Sequence, residues 1–157
     1  MLYLIAPTIE EDSVSFQYNK AGCEIVRVND ALAFVEALAA GVENTSIKPF
    51  DLVFIDADKT RFLQYVEACL DNDKVLKRGG LMIVDNVLWK GLVIGIGNEN
   101  ETEDLDNKLN IDELKKSRRA RKLANTIHQF NTAIVKENRV EVLMVPIRDG
   151  LSIIRKK

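Results

Sequence analysis

The sequence predicts a single α/β domain over residues 1–157, with a mostly parallel sheet that ends in an antiparallel hairpin. Short apolar segments alternate with segments of helical periodicity through the first half of the chain, a pattern typical of parallel sheets with right-handed crossovers. Two β-rich segments then follow a long helical pattern and meet at Asp149-Gly150, a dipeptide that favours a tight turn.

The first predicted elements alternate between strand and helix. Residues 2–6 and 24–28 are short apolar segments that predict strands. The polar segment 10–21 between them predicts a helix that ends at Gly22. Residues 30–40 predict the next helix. Its apolar face consists of Leu32, Val35, Leu38 and Ala39.

Two buried strands are predicted in the middle of the chain. The continuous apolar segment 50–55 contains one acid and predicts a strand that is buried on both faces. A helix over residues 60–71 follows it. Gly79 and Gly80 then predict a break before a second buried strand at residues 81–84.

A long helix and the hairpin complete the predicted fold. The helix begins near Asp112, and residues 140–147 and 151–154 are the two strands of the hairpin. The apolar positions of the helix are Leu123, Ile127, Phe130 and Ile134.

Two charged segments each allow two interpretations. The irregular segment 91–112 contains three glycines and a cluster of acids; it predicts a surface loop, with a substrate lid as the alternative. The basic segment 115–122 holds six cations in eight residues. A solvated helix face explains these cations, and so does docking of an anionic substrate such as a coenzyme A phosphate.

Composition argues against several classes of protein. The formal net charge of −2 creates no overall field that attracts nucleic acid or an anionic membrane, and no apolar segment has the length of a transmembrane helix. The single histidine, His128, argues against a zinc–histidine site and a serine–histidine–aspartate triad. Cys23 and Cys69 lack metal-type spacing, and we expect free thiols in a reducing cytoplasm.

Oxygen-bearing side chains directly follow the two buried strands. Asp56 comes after the first strand, and Asp85 and Asn86 come after the second. Ligands of open α/β sheets bind at this carboxyl edge, and three oxygen donors form half of an octahedral shell for Mg²⁺. An aspartate in this position also caps helices, so capping remains the alternative for each aspartate taken singly.

Three separated segments resemble the cation-dependent O-methyltransferases, a family that includes caffeoyl-CoA and catechol O-methyltransferases. They are residues 50–59 (FDLVFIDADK), 79–89 (GGLMIVDNVLW) and 139–155, and the resemblance extends from about Ala21 to the C-terminus. It implies a Rossmann-like methyltransferase sheet, mostly parallel with a C-terminal antiparallel hairpin. It also implies that the N-terminal helices and the first strand are lacking.

The resemblance implies a role for each matched residue. Asp56, Asp85 and Asn86 correspond to the ligands of Mg²⁺ or a similar divalent cation, and Lys59 corresponds to the general base. The family transfers a methyl group from S-adenosylmethionine to one of two vicinal hydroxyls, whose pKa the cation lowers. The implied acceptor is a small catechol or a hydroxycinnamoyl thioester, and a homodimer is allowed. Trp89 is a wall of the acceptor pocket or, alternatively, a core side chain.

The implied cofactor site is incomplete. Residues 29–31 (NDA) resemble the family's Gly-Asp-Ala turn beside the adenine, which assigns Asp30 and Ala31 to S-adenosylmethionine, with Asp56 nearby. Glu10 takes the place of the acid that binds the ribose hydroxyls. The glycine-rich turn that precedes this acid in the family is missing, so we expect weak or absent cofactor binding.

Two rival interpretations remain. Residues 56–60 (DADKT) also fit the D-x-D-x-T motif of haloacid-dehalogenase-type phosphotransferases, with Asp56 as nucleophile and Asp58 as acid and base. That motif needs a later acidic pair, for which Asp85-Asn86 is a poor substitute. The other rival is a non-catalytic, truncated methyltransferase fold that acts in dimerisation or partner binding.

The missing first strand leads to a topological prediction. In the family this strand lies between the strands that match residues 2–6 and 50–55. An unfilled gap would leave several buried backbone groups unpaired, at a cost of about 1–3 kcal/mol each. We therefore expect residues 2–6 to lie parallel and directly against residues 50–55.

Overall fold

The computed structural model places the described residues in a five-stranded sheet, a separate two-stranded sheet and three α-helices. The described residues are 2–5, 15–18, 24–41, 48–71, 73–94, 96 and 111–157. Within this part of the chain no helix is long and apolar enough to cross a membrane.

The strands of the five-stranded sheet are β1 (Leu2–Ile5), β4 (Phe50–Ile55), β5 (Leu76–Asp85), β6 (Val140–Val145) and β7 (Leu151–Lys156). The sheet is mixed and has the order β1-β4-β5-β7-β6. Strand β4 lies parallel to both β1 and β5, whereas β7 is antiparallel to β5 and to β6. The predicted parallel core with its C-terminal antiparallel hairpin is thus confirmed.

Strand β1 pairs directly with β4 along its whole length. Leu2 lies opposite Leu52, and Ile5 lies opposite Ile55, in parallel register. This is the predicted pairing, and it is confirmed for residues 2–5. The pairing provides β4 with a hydrogen-bonded neighbour on both sides, because β5 lies on its other side.

The helix predicted for residues 10–21 is wrong where the structure describes that segment. Residues Ser15–Tyr18 form strand β2, which pairs antiparallel with β3 (Glu24–Arg27). The sequence SFQY alternates polar and aromatic side chains, which is the period of a strand. The strand predicted at 24–28 is confirmed as far as Arg27, but it pairs with β2 and is not part of the parallel sheet.

The three helices are confirmed close to their predicted positions. They are α1 (Ala31–Ala40), α2 (Phe62–Leu70) and α3 (Ile111–Val135). Helix α1 ends at Gly41, whose φ of 69° gives the left-handed cap that glycine favours. A 3-10 turn, Lys59–Arg61, precedes α2. Phe62 and Phe130 meet edge to face at 5.5 Å between ring centroids, so α2 and α3 share one core.

Strand β5 is longer than predicted, because Gly79 and Gly80 lie inside it. Phe50 pairs with Leu76 but Leu52 pairs with Leu81, so the register shifts between these pairs. Gly79 has a φ of 75°, which a bulge residue needs and a side chain disfavours. The glycines therefore bend the strand and do not end it.

The hairpin at the end of the chain is also confirmed, with altered bounds. Strand β6 is shorter than the predicted 140–147, and β7 is longer than the predicted 151–154.

At the far end of β7, the buried Lys156 donates from Nζ to the carbonyl oxygens of Cys69 and Leu76 at 3.2 and 3.0 Å. Cys69 has a free, buried thiol, and burial raises the pKa of this thiol to about 12. Cys23 lies outside the described residues.

Candidate functional site

The site lies where β4 and β5 end side by side. Ile55 pairs with Val84, and both are fully buried. The next residues, Asp56 and Asp85, therefore emerge from neighbouring strands at one edge of the sheet. Their placement follows from the two apolar segments that the sequence already marked as buried strands.

Lys59 reaches back to this edge from the 3-10 turn. Its Nζ lies 3.6 Å from Oδ1 of Asp56, and its side chain is only 18% exposed, compared with 47% for Asp56. The same Nζ lies 5.4 Å from the centroid of the Trp89 ring. Lys59 thus lies beside Asp56, one of the acids it was expected to approach, and does not extend into solvent. Its role as a general base stays a prediction.

The segment after β5, residues 86–91, is called the site loop here. Asn86, Trp89 and Lys90 have φ values of 64°, 42° and 55°. Side chains disfavour this left-handed region, although asparagine tolerates it better than most residues. The loop turns back over the sheet edge, which brings Trp89 next to Lys59. Nothing in the sequence pattern signalled this conformation.

The hairpin turn between β6 and β7 holds the site loop in place. The backbone N–H of Val87 donates to the carbonyl of Gly150 at 3.1 Å, and that of Leu88 donates to Asp149 at 2.7 Å. A Cβ on Gly150 would lie 2.5 Å from Cγ of Leu88. The dipeptide that the sequence marked as a turn therefore also supports the site.

Trp89 has the core-packing role that the sequence left open, and its role as a wall of the acceptor pocket stays a prediction. Its half-buried ring packs against the core cluster and also lies beside the ammonium groups of Lys59 and Lys90. Its indole Nε1 is buried, and no described residue accepts a hydrogen bond from it. The ring is thus an apolar surface beside Lys59 at the edge where Asp56 and Asp85 emerge.

Asp30, predicted to contact the cofactor, caps helix α1 and binds Arg61. Its Oδ1 accepts from the backbone N–H of Leu32 at 2.9 Å and of Ala33 at 3.3 Å. Nη1 of Arg61 lies 3.1 and 3.0 Å from the two carboxylate oxygens. The hydrogen bond from Arg61 holds the pKa of Asp30 below its ordinary value. Sequence reasoning missed Arg61, which lies 31 residues away along the chain.

The Asp58 carboxylate accepts hydrogen bonds from within its own turn. Its Oδ1 accepts from the backbone N–H of Thr60 at 2.9 Å and from the Thr60 hydroxyl at 2.8 Å. Burial alone would raise the pKa of Asp58. These hydrogen bonds and the charge of Arg61 have the larger combined effect, so the pKa lies below its ordinary value. A carboxyl group that stays ionised in this way is poorly suited to the acid role of the phosphotransferase interpretation.

The donor set at the sheet edge suits a hard divalent cation. Asp56, Asp85 and Asn86 supply only oxygen ligands, which Mg²⁺ prefers. Oδ1 of Asp85 accepts from the backbone N–H of Asn86 at 2.6 Å, which fixes the orientation of that carboxylate. Among the described residues no three His, Cys, Asp or Glu side chains form a metal-binding group. Convergence of the three oxygens on one cation stays a prediction.

The structure describes only some of the other residues that the sequence singled out. Glu10 and the acidic patch within 97–110 lie outside the described residues, so the ribose contact and the lid stay predictions. Ala31 is half-buried at the first position of α1. In the basic segment Arg118, Arg119 and Lys122 are exposed, as expected for a solvated helix face.

A sequence model of the O-methyltransferase family matches residues 13–157. The caffeoyl-CoA O-methyltransferase of Populus kitakamiensis is 27% identical over 94% of this chain and 57% of its own length. The chain spans about half the length of such relatives. The phosphotransferase interpretation, whose motif covers a few residues, is not favoured.

Two solved structures are similar in both fold and sequence. A methyltransferase of Podospora anserina with SAH bound matches with a TM-score of 0.60 and 26% identity, over 82% of this chain and 47% of the other. An O-methyltransferase of Bacillus cereus in complex with SAH matches with a TM-score of 0.55 and 28% identity, over 83% and 49%. The predicted Rossmann-like methyltransferase architecture is thereby confirmed.

Proposed function

Because the chain belongs to the O-methyltransferase family, we propose that it transfers a methyl group from S-adenosylmethionine to one hydroxyl of a cation-chelated vicinal diol. The observation that carries the proposal is the position of Lys59, which lies between Asp56 and the Trp89 ring at the carboxyl edge of the sheet. A base, a cation ligand and an apolar wall are the three groups that such a reaction needs.

The proposed cation ligands are Asp56, Asp85 and Asn86. A divalent cation held there would chelate both hydroxyls of the acceptor and lower the pKa of the one that is methylated. The Asp56 carboxylate can either pair with the Lys59 ammonium group or bind such a cation. When Asp56 binds the cation, Lys59 no longer pairs with it. After its ammonium group releases a proton to solvent, the neutral amine would accept the hydroxyl proton at Nζ.

The proposed acceptor is an aromatic diol of the catechol or caffeoyl-CoA type. The exposed face of Trp89 offers a flat apolar surface for an aromatic ring beside Lys59. Such a surface aligns the nucleophilic oxygen with the methyl group, and alignment of two bound reactants supplies much of the rate in a transfer of this kind. Similarity to caffeoyl-CoA O-methyltransferases supports this class of acceptor.

For S-adenosylmethionine we propose the start of helix α1, with Asp30 and Ala31, together with Asp56 and Glu10. The SAH-bound structures to which the chain is similar support this cofactor. Arg61 already binds both oxygens of Asp30, so the cofactor has to accommodate this ion pair.

Calorimetric titration with S-adenosylmethionine tests the proposal. We expect weak binding that S-adenosylhomocysteine abolishes by competition, and methyl transfer to a catechol or caffeoyl-CoA that requires added Mg²⁺. An Asp30→Ala variant should bind the cofactor more weakly, whereas Asp51→Ala, an exposed aspartate at the start of β4, should bind it normally. Absence of any binding would instead support the non-catalytic alternative.

A further inference from the structure

We propose that Asn131, on helix α3, is a positioning residue that holds the site loop and thereby orients Asn86 and Trp89. The inference rests on the proposed function, because these two side chains belong to the proposed cation site and acceptor wall. Nothing in the sequence pattern marks Asn131. It follows three residues after His128 on a helix that the sequence predicted only as a packing element.

The contact that carries the inference joins two distant segments. Nδ2 of Asn131 donates to the backbone carbonyl of Val87 at 2.8 Å, across 44 residues of sequence. Asn131 is partly buried, and the Val87 side chain is fully buried. A hydrogen bond that is shielded from water restrains the loop more than an exposed one.

The loop needs such a restraint. Asn86, Trp89 and Lys90 all have positive φ, and backbone conformations of this kind persist only where surrounding contacts determine them. The hairpin turn holds the amide groups of Val87 and Leu88. Asn131 holds the carbonyl of Val87 from α3, so the loop is held by two separate elements.

Two unpartnered atoms point to the same region. Oδ1 of Asn131 and Nε1 of Trp89 are both buried, and neither has a hydrogen-bond partner among the described residues. Buried polar atoms without partners are rare and call for an explanation. Both atoms belong to residues that form or hold the site loop, and a ligand bound at this edge of the sheet is one explanation for them.

Hydrogen exchange in the unliganded chain tests the restraint. Asn131→Leu keeps the approximate volume of the side chain but cannot donate to Val87. A typical hydrogen bond corresponds to about a fivefold change in a local opening equilibrium. We therefore expect the amides of Val87 and Leu88 to exchange about fivefold faster. The matched control is Asn125→Leu, an exposed asparagine on the same helix.

Fluorescence gives a second readout, because Trp89 is the only tryptophan in the chain. Its emission should shift to longer wavelength, and acrylamide should quench it more strongly, while the far-UV circular dichroism stays unchanged. If Asn131→Leu does not fold, Asn131→Asp replaces it, since the carboxylate has the same shape and cannot donate. Exchange and emission like those of wild type in a folded variant would overturn the proposal.

A Mn²⁺ titration followed by Trp89 emission separates this proposal from the proposed function. We expect weaker Mn²⁺ binding in the Asn131 variants than in wild type and the Asn125→Leu control. If wild type itself binds no Mn²⁺, the cation site fails while the exchange result still decides the role of Asn131. Equal binding in wild type and in a variant with a loosened loop would overturn the link from Asn131 to Asn86.

Discussion

The central sheet has an amino edge, where its parallel strands begin, and a carboxyl edge, where they end. The two edges differ in how their polar groups are paired. At the amino edge of β5, the partners of the Lys156 ammonium include the carbonyls of Cys69 and Leu76 and the carboxylate of Asp73. Arg139, nearby at the start of β6, pairs with Glu67, Asp71 and Glu137. These ion pairs span 2.7 to 3.7 Å. Polar groups at this edge are matched by polar groups.

The carboxyl edge has unmatched groups and an unfavourable backbone. The ion pair of Lys59 is 3.6 Å long, and three non-glycine residues of the site loop have positive φ. Nε1 of Trp89 has no hydrogen-bond partner among the described residues. Strain and unpaired polar groups collect at functional sites, where a ligand completes them. The comparison leads to the prediction that the amino edge contributes stability and the carboxyl edge contributes the proposed chemistry.

Replacement of Lys59 should have the largest effect and should be confined to chemistry. In a chain or complete homologue with measurable turnover, Lys59→Ala should lower kcat by about 100-fold or more, as loss of a general base does. Stability and cation affinity should change little, because the contacts of Lys59 within the described residues are one ion pair of 3.6 Å and one face of the Trp89 ring. The control is Lys77→Ala, an exposed lysine at the amino edge. Unchanged turnover would remove the general-base role.

Replacement of Lys156 should show the reverse pattern. Lys156→Met fills the same space but leaves the buried carbonyls of Cys69 and Leu76 without their donor. Unsatisfied buried groups are costly, so we expect the free energy of unfolding in urea to fall by about 2 kcal/mol. Lys157→Met should cost much less, because Lys157 donates from an exposed position to Asn138. Hydrogen exchange in the site loop should not change; faster exchange there would break the proposed separation of the two edges.

The sequence predicted the regular parts of the fold because local patterns determine them. The apolar segment 50–55 and the helical periodicity before Ile134 were strong signals, and both elements were confirmed. The segment Ser15–Tyr18 was misassigned because its overall polarity concealed a four-residue alternation. Gly79 and Gly80 were read as a break because a bulge and a strand end use the same residue.

The candidate site was predictable only in part, for a related reason. Asp56, Asp85 and Asn86 were predicted because they follow the predicted strands directly, and Lys59 was predicted through the family resemblance. Arg61 and Asn131 act through partners 31 and 44 residues away in sequence. Such contacts depend on tertiary packing, and local sequence patterns do not predict them. The left-handed conformation of Lys90 is equally invisible, since lysine has no preference for it.

The smallest predicted effect is a pH dependence at the amino edge. Hydrogen bonds from the Arg139 guanidinium and backbone lower the pKa of Glu137 from 4.5 to about 2. The folded state therefore holds this carboxylate ionised more strongly than the unfolded state does. Its contribution to stability is fully present above pH 4.5 and is lost as the pH falls from there towards 2. Because the groups are exposed to solvent, the contribution is that of a surface ion pair and small.

Glu137→Gln should remove this contribution without affecting the carboxyl edge. Wild type and variant should converge in urea midpoint as the pH falls through that window, and wild type should be more stable at neutral pH. Glu141→Gln, which affects the exposed pair with Arg155, is the control for loss of a surface charge. High salt should reduce the difference, because exposed pairs are screened. A variant that matched wild type at every pH would show that Arg139 is held by Glu67 and Asp71 alone. The amino edge would then owe its stability to Lys156 and to the pairs of Arg139 with Glu67 and Asp71, and not to Glu137.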